Sequence, residues 1–543
     1  MKNINVLKQM LLFGLLIFYI GNLQAQQPAS ACSDNKTNCS QKESHDARWG
    51  DLGDGTFANP VLNADYSDPD VIRVGEKYYM TCSEFHFMGM LILESDDMVN
   101  WRIIGKVYDR LDFPKFYTNE KYAGGSWAPA IRYHDEKFWI YFCTPDEGLF
   151  MSNATNPEGP WAPLVHVKDV GGWEDPCPLW DGDQAYLGRS QLRGGPIIIH
   201  KMSLDGTQLL DDGQTVYEGP TAEGTKLFMK DGYYYISIPE GGVPTGWQTV
   251  MRSKNIYGPY EKKVVLEQGS TKINGPHQGA LVDTPNGEWW FYHFQSVKAL
   301  GRVMHLQPVT WVDGFPVIGE DYDGNGIGEP VKICRKPNTG RFDSIFAPQT
   351  DDDFNSLTLA LHWQFNHNPD NSKWLLSTRP GYLSIEALNA SDLKKAKNSL
   401  TQKVMGYSGE ASTELACEQL QNGQRAGLHC IGGSYNAIGI ERKDDKNYLY
   451  MEMNGIAECL QEITETTVYL KVTLDAYRNS NQFYYSLDGV NYTTCKEQFS
   501  QNEANWKGPR IGIFSYNVLR DGGRADFNWF KYQYDGPGMR ASF

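Results

Sequence analysis

What this chain of 543 residues lacks narrows its role more than its bulk composition does. It has no basic run, and its formal charge of −16 argues against nucleic acid or an anionic membrane surface as a partner. Its ten cysteines, at 32, 39, 82, 143, 177, 334, 417, 430, 459 and 495, include no C-x-x-C pair, which excludes the usual zinc spacing. Past residue 25 no apolar stretch approaches membrane-spanning length, so no transmembrane segment is expected. Helical periodicity is scarce, and strand-like segments punctuated by Gly, Asn and Asp turns take its place.

What is present is a repeat, seen most clearly around Glu223-Gly224-Thr225-Lys226-Leu227-Phe228. An opening residue leads into a short strand, a tight turn at Asp231-Gly232, and an aromatic strand at Tyr233-Tyr234-Tyr235. The same pattern starts at Asp68, Ala128, Asp175 and His277, with aromatic strands at Tyr78-Tyr79, Phe138-Trp139, Tyr186-Leu187 and Trp289-Trp290. The five starting points are separated by 60, 47, 48 and 54 residues, near the period of four-stranded propeller blades. The fold class predicted is all-β, a five-bladed β-propeller. Its innermost strands surround one axis, so the starting residues are expected to meet at the mouth of a central funnel. Three carboxylates and a histidine gathered there suit a site better than a core, because core positions exclude unpaired charge.

The chain divides accordingly. Residues 1–25 read as a secretory signal peptide, with Lys2 and Lys8 ahead of the apolar run Met10 to Ile20 and Ala25 offered for cleavage. Residues 26–47 are polar and read as a disordered leader. Cys32 resembles a lipoprotein cleavage site only faintly, because Gln26-Gln27-Pro28 separates it from the apolar run. Export to the periplasm or outside the cell is therefore expected, with a lipid anchor the lesser reading. Residues 48–347 form the propeller, with Asn59-Pro60-Val61-Leu62 opening blade one. Residues 348–543, beyond Pro348 and an acidic run, alternate strand and turn and predict a β-sandwich. Asp321, Asp323 and Asn325 resemble the start of an EF-hand loop, but Lys332 stands at its twelfth position, which favours a surface turn.

Hydrolysis of a glycosidic bond needs a protonated acid on the leaving oxygen and a second carboxylate opposite it. Three carboxylates in one funnel can divide into acid, base and modulator, although spacing alone does not say which is which.

The motifs resemble glycoside hydrolase family 43, the β-xylosidases and α-L-arabinofuranosidases. The resemblance rests on Asp68-Pro69-Asp70, Trp127-Ala128-Pro129, Glu174-Asp175-Pro176, Glu223-Gly224 with Pro239-Glu240-Gly241-Gly242, and Gly275-Pro276-His277-Gln278-Gly279. The segment after Pro348 is similar to the concanavalin-A-like sandwich appended to many members. The resemblance implies Asp68 as general base, Glu223 as general acid and Asp175 as modulator of the acid, in an inverting, exo-acting hydrolase. The substrate implied is a terminal pentose, α-L-arabinofuranose or β-D-xylose, on plant cell-wall oligosaccharides or polysaccharide side chains. It also implies Trp127 and Arg302 as substrate-binding residues, with Phe85 and Phe87 as further candidates for the sugar pocket. No cofactor is required for the chemistry, although His277 is similar to an axial histidine that in many members faces water or a structural calcium. Ala130 departs from the Asp common at that position, which leaves the sugar open, with α-L-arabinofuranose the preferred reading of the two. The competing readings are a non-catalytic sugar-binding propeller and a fructoside-hydrolysing relative, whose Asn-Asp-Pro-Asn-Gly motif is absent.

Overall fold

A computed structural model describes residues 47–113, 121–341 and 344–537. The predicted signal peptide, almost all of the leader, Cys32 and Cys39 lie outside the described residues. The eight described cysteines are free thiols.

The fold is the predicted five-bladed propeller followed by a β-sandwich. Blades one to four are antiparallel four-stranded sheets whose innermost strands are Asp70–Val74, Trp127–His134, Trp173–Asp181 and Lys226–Lys230. Blade five is built from His277–Asp283, Trp289–Val297 and Gly301–Val312, and its next strand comes from the other end of the domain. Leu62–Asp65 pairs antiparallel with Gly301–Val312. The segment expected to open blade one therefore completes blade five and closes the ring. That pairing satisfies an edge that blade five would otherwise leave open.

Each blade is entered through one residue in the left-handed backbone region: Asp68 (φ 53°), Ala128 (35°), Asp175 (55°), Gly224 (59°) and Gln278 (54°). In blades one to four this residue lies seven positions before the two-residue hairpin turn. The first strands of blades two, three and five carry a register shift at the same place, as expected of a bulge that re-aims side chains. This corrects the sequence alignment by one residue in blades four and five. Level with Asp68 stand Gly224 and Gln278, whereas Glu223 and His277 stand level with Ser67, Trp127 and Glu174. Glycine occupies the strained position of blade four, so the nearest carboxylate drew the alignment one step early. A side chain there would meet the Pro239 ring at 2.5 Å.

The sandwich stacks two mainly antiparallel sheets. Ser408–Ala416 and Thr467–Asp475 alternate buried and half-exposed positions along their length, the period expected of a sheet covered on one face. One apolar cluster runs from Trp49, Trp101 and Tyr292 in the propeller to Trp363, Ile513 and Phe530 in the sandwich. Inside the contact lies a group of buried charges. Glu84 pairs with Lys403 at 3.0 Å and Arg510 at 3.0 Å, and Asp65 pairs with Lys507 at 2.8 Å. Lys507 also reaches Glu84 at 3.5 Å. Gly301 and Gly508 make this approach feasible, because a Cβ on Gly301 would fall 2.5 Å from the Gly508 backbone. Burial alone would raise the Glu84 carboxyl, but the three cations together outweigh it and hold it at about 2.

Removing one partner of a buried charge set leaves the others uncompensated, at a cost of about 3–5 kcal/mol. Glu84→Gln is accordingly expected to lower the melting temperature of the full chain in differential scanning calorimetry; an unchanged melting temperature would show the cluster to be solvated and inessential. The carboxyl is held below its ordinary value, so its contribution is present above pH about 4.5 and is lost as the pH falls toward 2.

Candidate active site

Two rings of residues lie at the mouth of the propeller, one at the left-handed positions and one a residue earlier. The ring at the left-handed positions presents Asp68, Ala128, Asp175, Gly224 and Gln278. The ring one residue earlier holds Ser67, Trp127, Glu174, Glu223 and His277, of which Trp127, Glu174 and Glu223 reach the pocket. Asp68, Trp127, Glu174, Asp175, Glu223, Gln278 and Arg302 line one pocket of about 170 Å³, together with Phe85, Leu192, Arg193 and Val243. The structure thus brings together all three carboxylates and both binding residues expected from sequence.

Asp68 is buried and held from several sides. Arg302 Nη1 donates to Oδ1 at 2.6 Å, and the Ser83 and Ser67 hydroxyls donate to Oδ2 at 2.6 and 2.9 Å. Arg302 is itself fixed, its backbone N–H donating to Asp65 Oδ1 at 2.9 Å and its guanidinium lying over the Phe294 ring. Asp175 accepts from the Gly224 N–H at 2.6 Å, from Gln278 Nε2 at 3.2 Å and from the Ser190 hydroxyl. Burial raises its carboxyl above the ordinary range in spite of these donors. Glu223 is half-buried on the wall of the same pocket. Burial first, then the charges of Asp175 and Asp68, push its carboxyl up to about 8, against the opposing pull of Arg302.

A fourth carboxylate joins them. Glu174, the blade-three counterpart of Glu223, is buried against the pocket, and its Oε1 has no hydrogen-bond partner among the described residues. Burial and then the charges of Asp175 and Glu223 push it up to about 9. The sequence held the signal in the adjacent pair Glu174-Asp175, but the one-residue slip in blade four hid the equivalence. An acid that is neutral near pH 7 can donate a hydrogen bond into the pocket as well as accept one.

The sandwich supplies the remaining wall. Trp506 lines the pocket, meets Trp127 edge to face at 5.1 Å and stacks near Phe85 at 6.3 Å. Its neighbour Lys507 donates to the Ser83 carbonyl at 2.8 Å, and the Ser83 hydroxyl is the one that holds Asp68. A contact across 424 residues leaves no local pattern to read in the sequence.

Two expected residues lie elsewhere. Phe87 is not among the pocket residues; it is buried at the propeller–sandwich contact, with the Arg510 guanidinium 4.1 Å above its ring. His277 is buried behind the wall against Phe294, and its ring nitrogens have no hydrogen-bond partner among the described residues. Burial, then the charges of Arg302 and His293, hold its imidazole down at about 3. Calcium takes six to eight oxygen ligands. A neutral imidazole beside a guanidinium does not suit it, and no group of three or more metal-binding side chains occurs among the described residues. The EF-hand-like loop is a self-satisfied turn in which Asp321 accepts from the N–H groups of Gly324 and Gly326, each at 2.9 Å.

Residues 57–316 match the model of the glycosyl hydrolases family 43, and residues 351–533 match the β-xylosidase C-terminal concanavalin A-like domain. A putative β-xylosidase of Xylanibacter ruminicola is 54% identical over 86% of this chain and 88% of its own length. A β-xylosidase of Formosa agariphila is 37% identical over 90% of this chain and 92% of its own. Among solved structures, a bifunctional GH43-CE of Bacteroides eggerthii superposes with a TM-score of 0.79 at 30% identity; the alignment covers 88% of this chain and 63% of that one. Carboxylates gathered by propeller bulges, a pocket finished by the sandwich, and a relative 54% identical over most of the chain lead to one conclusion: this chain is a glycoside hydrolase of family 43.

Proposed function

We propose that this enzyme removes terminal β-D-xylose from xylo-oligosaccharides by a single inverting displacement, with α-L-arabinofuranose as the alternative sugar. The observation that carries the reading is the contrast across one pocket. Asp68 is bound as an acceptor by a guanidinium and two hydroxyls, while Glu223 is held protonated at neutral pH. Glu223 then donates its proton to the leaving oxygen as the bond to the anomeric carbon breaks. Asp68 takes a proton from the water that attacks the opposite face. Asp175, tied to the Gly224 N–H next to the acid, fixes that backbone, and its charge raises the Glu223 carboxyl.

The pocket of about 170 Å³, walled by Trp127 and Trp506, suits a chain end rather than the middle of a chain, which supports exo action. Xylose is preferred because the two relatives described above carry the name β-xylosidase. Chemistry of this family needs no cofactor, and no step here runs through a metal. Export, proposed from the lysines and apolar run at the amino terminus, would place the enzyme where cell-wall fragments arrive.

If Glu223 is the acid, Glu223→Gln should lower kcat on xylobiose by about 10²–10⁴-fold, the range for loss of general acid catalysis. The loss should be far smaller on an aryl β-xyloside whose leaving group needs no proton; equal losses on both substrates would assign Glu223 another role. The acid must be protonated to act, so wild-type kcat/KM on xylobiose should fall as the pH rises through about 8. A profile flat to pH 10 would contradict the assignment. Trp506→Ala should raise KM severalfold with the melting temperature unchanged, since half of the Trp506 surface is exposed; an unaltered KM would remove the sandwich from the pocket.

A further inference from the structure

A second concavity, larger than the pocket just described, lies where blade five and the closing strand meet the sandwich. It encloses about 570 Å³ and is lined by Tyr407 and Tyr477 from the sandwich and by Lys272, Gln295, His305, Tyr322 and Lys332 from the propeller. Tyr407 and Tyr477 stack on each other at 4.8 Å, and both Tyr477 and Tyr322 keep exposed surface at the rim. His305 is 1% exposed, and its ring nitrogens have no hydrogen-bond partner among the described residues. The two lysines are the anomaly. In a chain with 66 acidic and 50 basic residues, Lys272 and Lys332 stand near each other, and neither ammonium pairs with a carboxylate among the described residues. Burial and the neighbouring Lys272 charge hold the Lys332 ammonium below the ordinary lysine range. The Glu329 carboxylate accepts from the N–H and hydroxyl of Ser270, at 2.7 and 2.6 Å, and burial, then the charges of Glu320 and Glu329, raise the Tyr322 phenol on the same side of the concavity.

We infer that this concavity is a second glycan-binding site, for a xylan-type chain bearing uronic-acid groups. Exposed tyrosine faces suit the apolar faces of pyranose rings, Gln295 suits hydroxyls, and an unneutralised lysine pair suits a carboxylate. A neutral chain would leave that pair unmatched. The inference rests on the reading of the substrate as a xylan, and it adds that the enzyme is held on acidic stretches of the polymer while its pocket trims chain ends.

The test is native affinity electrophoresis of the full chain carrying Glu223→Gln, so that the polymer stays intact, in gels containing glucuronoxylan or a neutral arabinoxylan. Glucuronoxylan should retard the protein at least threefold more strongly, and 0.5 M salt should weaken the retardation. Lys272→Ser with Lys332→Ser should abolish the preference, and Tyr477→Ala should reduce retardation by both polymers. In the Glu223 background these variants should keep aryl-xyloside turnover within twofold of wild type, which verifies folding. Equal retardation by the two polymers, or a preference that survives loss of both lysines, would overturn the site. Absence of aryl-xyloside turnover in wild type would instead count against the proposed reaction, and the electrophoresis would still decide the site.

Discussion

The active pocket depends on charges buried where the two domains meet. Lys507 of the sandwich is paired with Asp65 and reaches Glu84, and it donates to the Ser83 carbonyl. Asp65 fixes the Arg302 backbone, and Arg302 and Ser83 in turn hold Asp68. Burying such a set gains little net stability over well-packed apolar residues, because desolvation offsets the attraction. Its value here is positional. It joins the sandwich to the propeller where Trp506 walls the pocket and Ser83 holds Asp68. The Gly301–Gly508 approach is the steric condition for that contact.

Within the propeller the organising device is the bulge. Five left-handed residues repeat at the blade entrances, and four of them are not glycine, so the ring carries local strain that the blades must hold in place. In blade three the bulge turns the successive side chains of Glu174 and Asp175 toward the pocket. Blade four adds Glu223 to the same small volume, where burial raises all three carboxyls and the Asp175 charge adds to it at Glu174 and Glu223. Asp68 faces them across the pocket, paired with Arg302 at 2.6 Å.

Much of this was legible in the sequence, and what was missed has physical causes. The propeller was readable because hairpin turns and aromatic strands recur at blade spacing, and the sandwich because its strands alternate. Asp68, Asp175, Glu223, Trp127, Arg302 and Phe85 all reach the pocket. The ring closure by Leu62–Asp65 was not readable, because a strand that completes a distant blade has the same local pattern as one that opens its own. Glu174 was hidden by a backbone offset that only φ angles reveal. Phe87 follows Phe85 by two residues, yet a local turn sends it under Arg510 instead. Trp506 and Lys507 act through contacts spanning most of the chain.

If water activated by Asp68 attacks the anomeric carbon on the face opposite the oxygen that Glu223 protonates, the configuration at that carbon inverts. Proton NMR of xylobiose hydrolysis by the full chain, followed from the first turnovers, tests it most directly, because the anomer released from the non-reducing end is visible before mutarotation. α-Xylose is expected first, drifting later to the equilibrium mixture. If β-xylose appeared first, the displacement would pass through a covalent glycosyl-enzyme, and Asp68 could not have the role assigned to it.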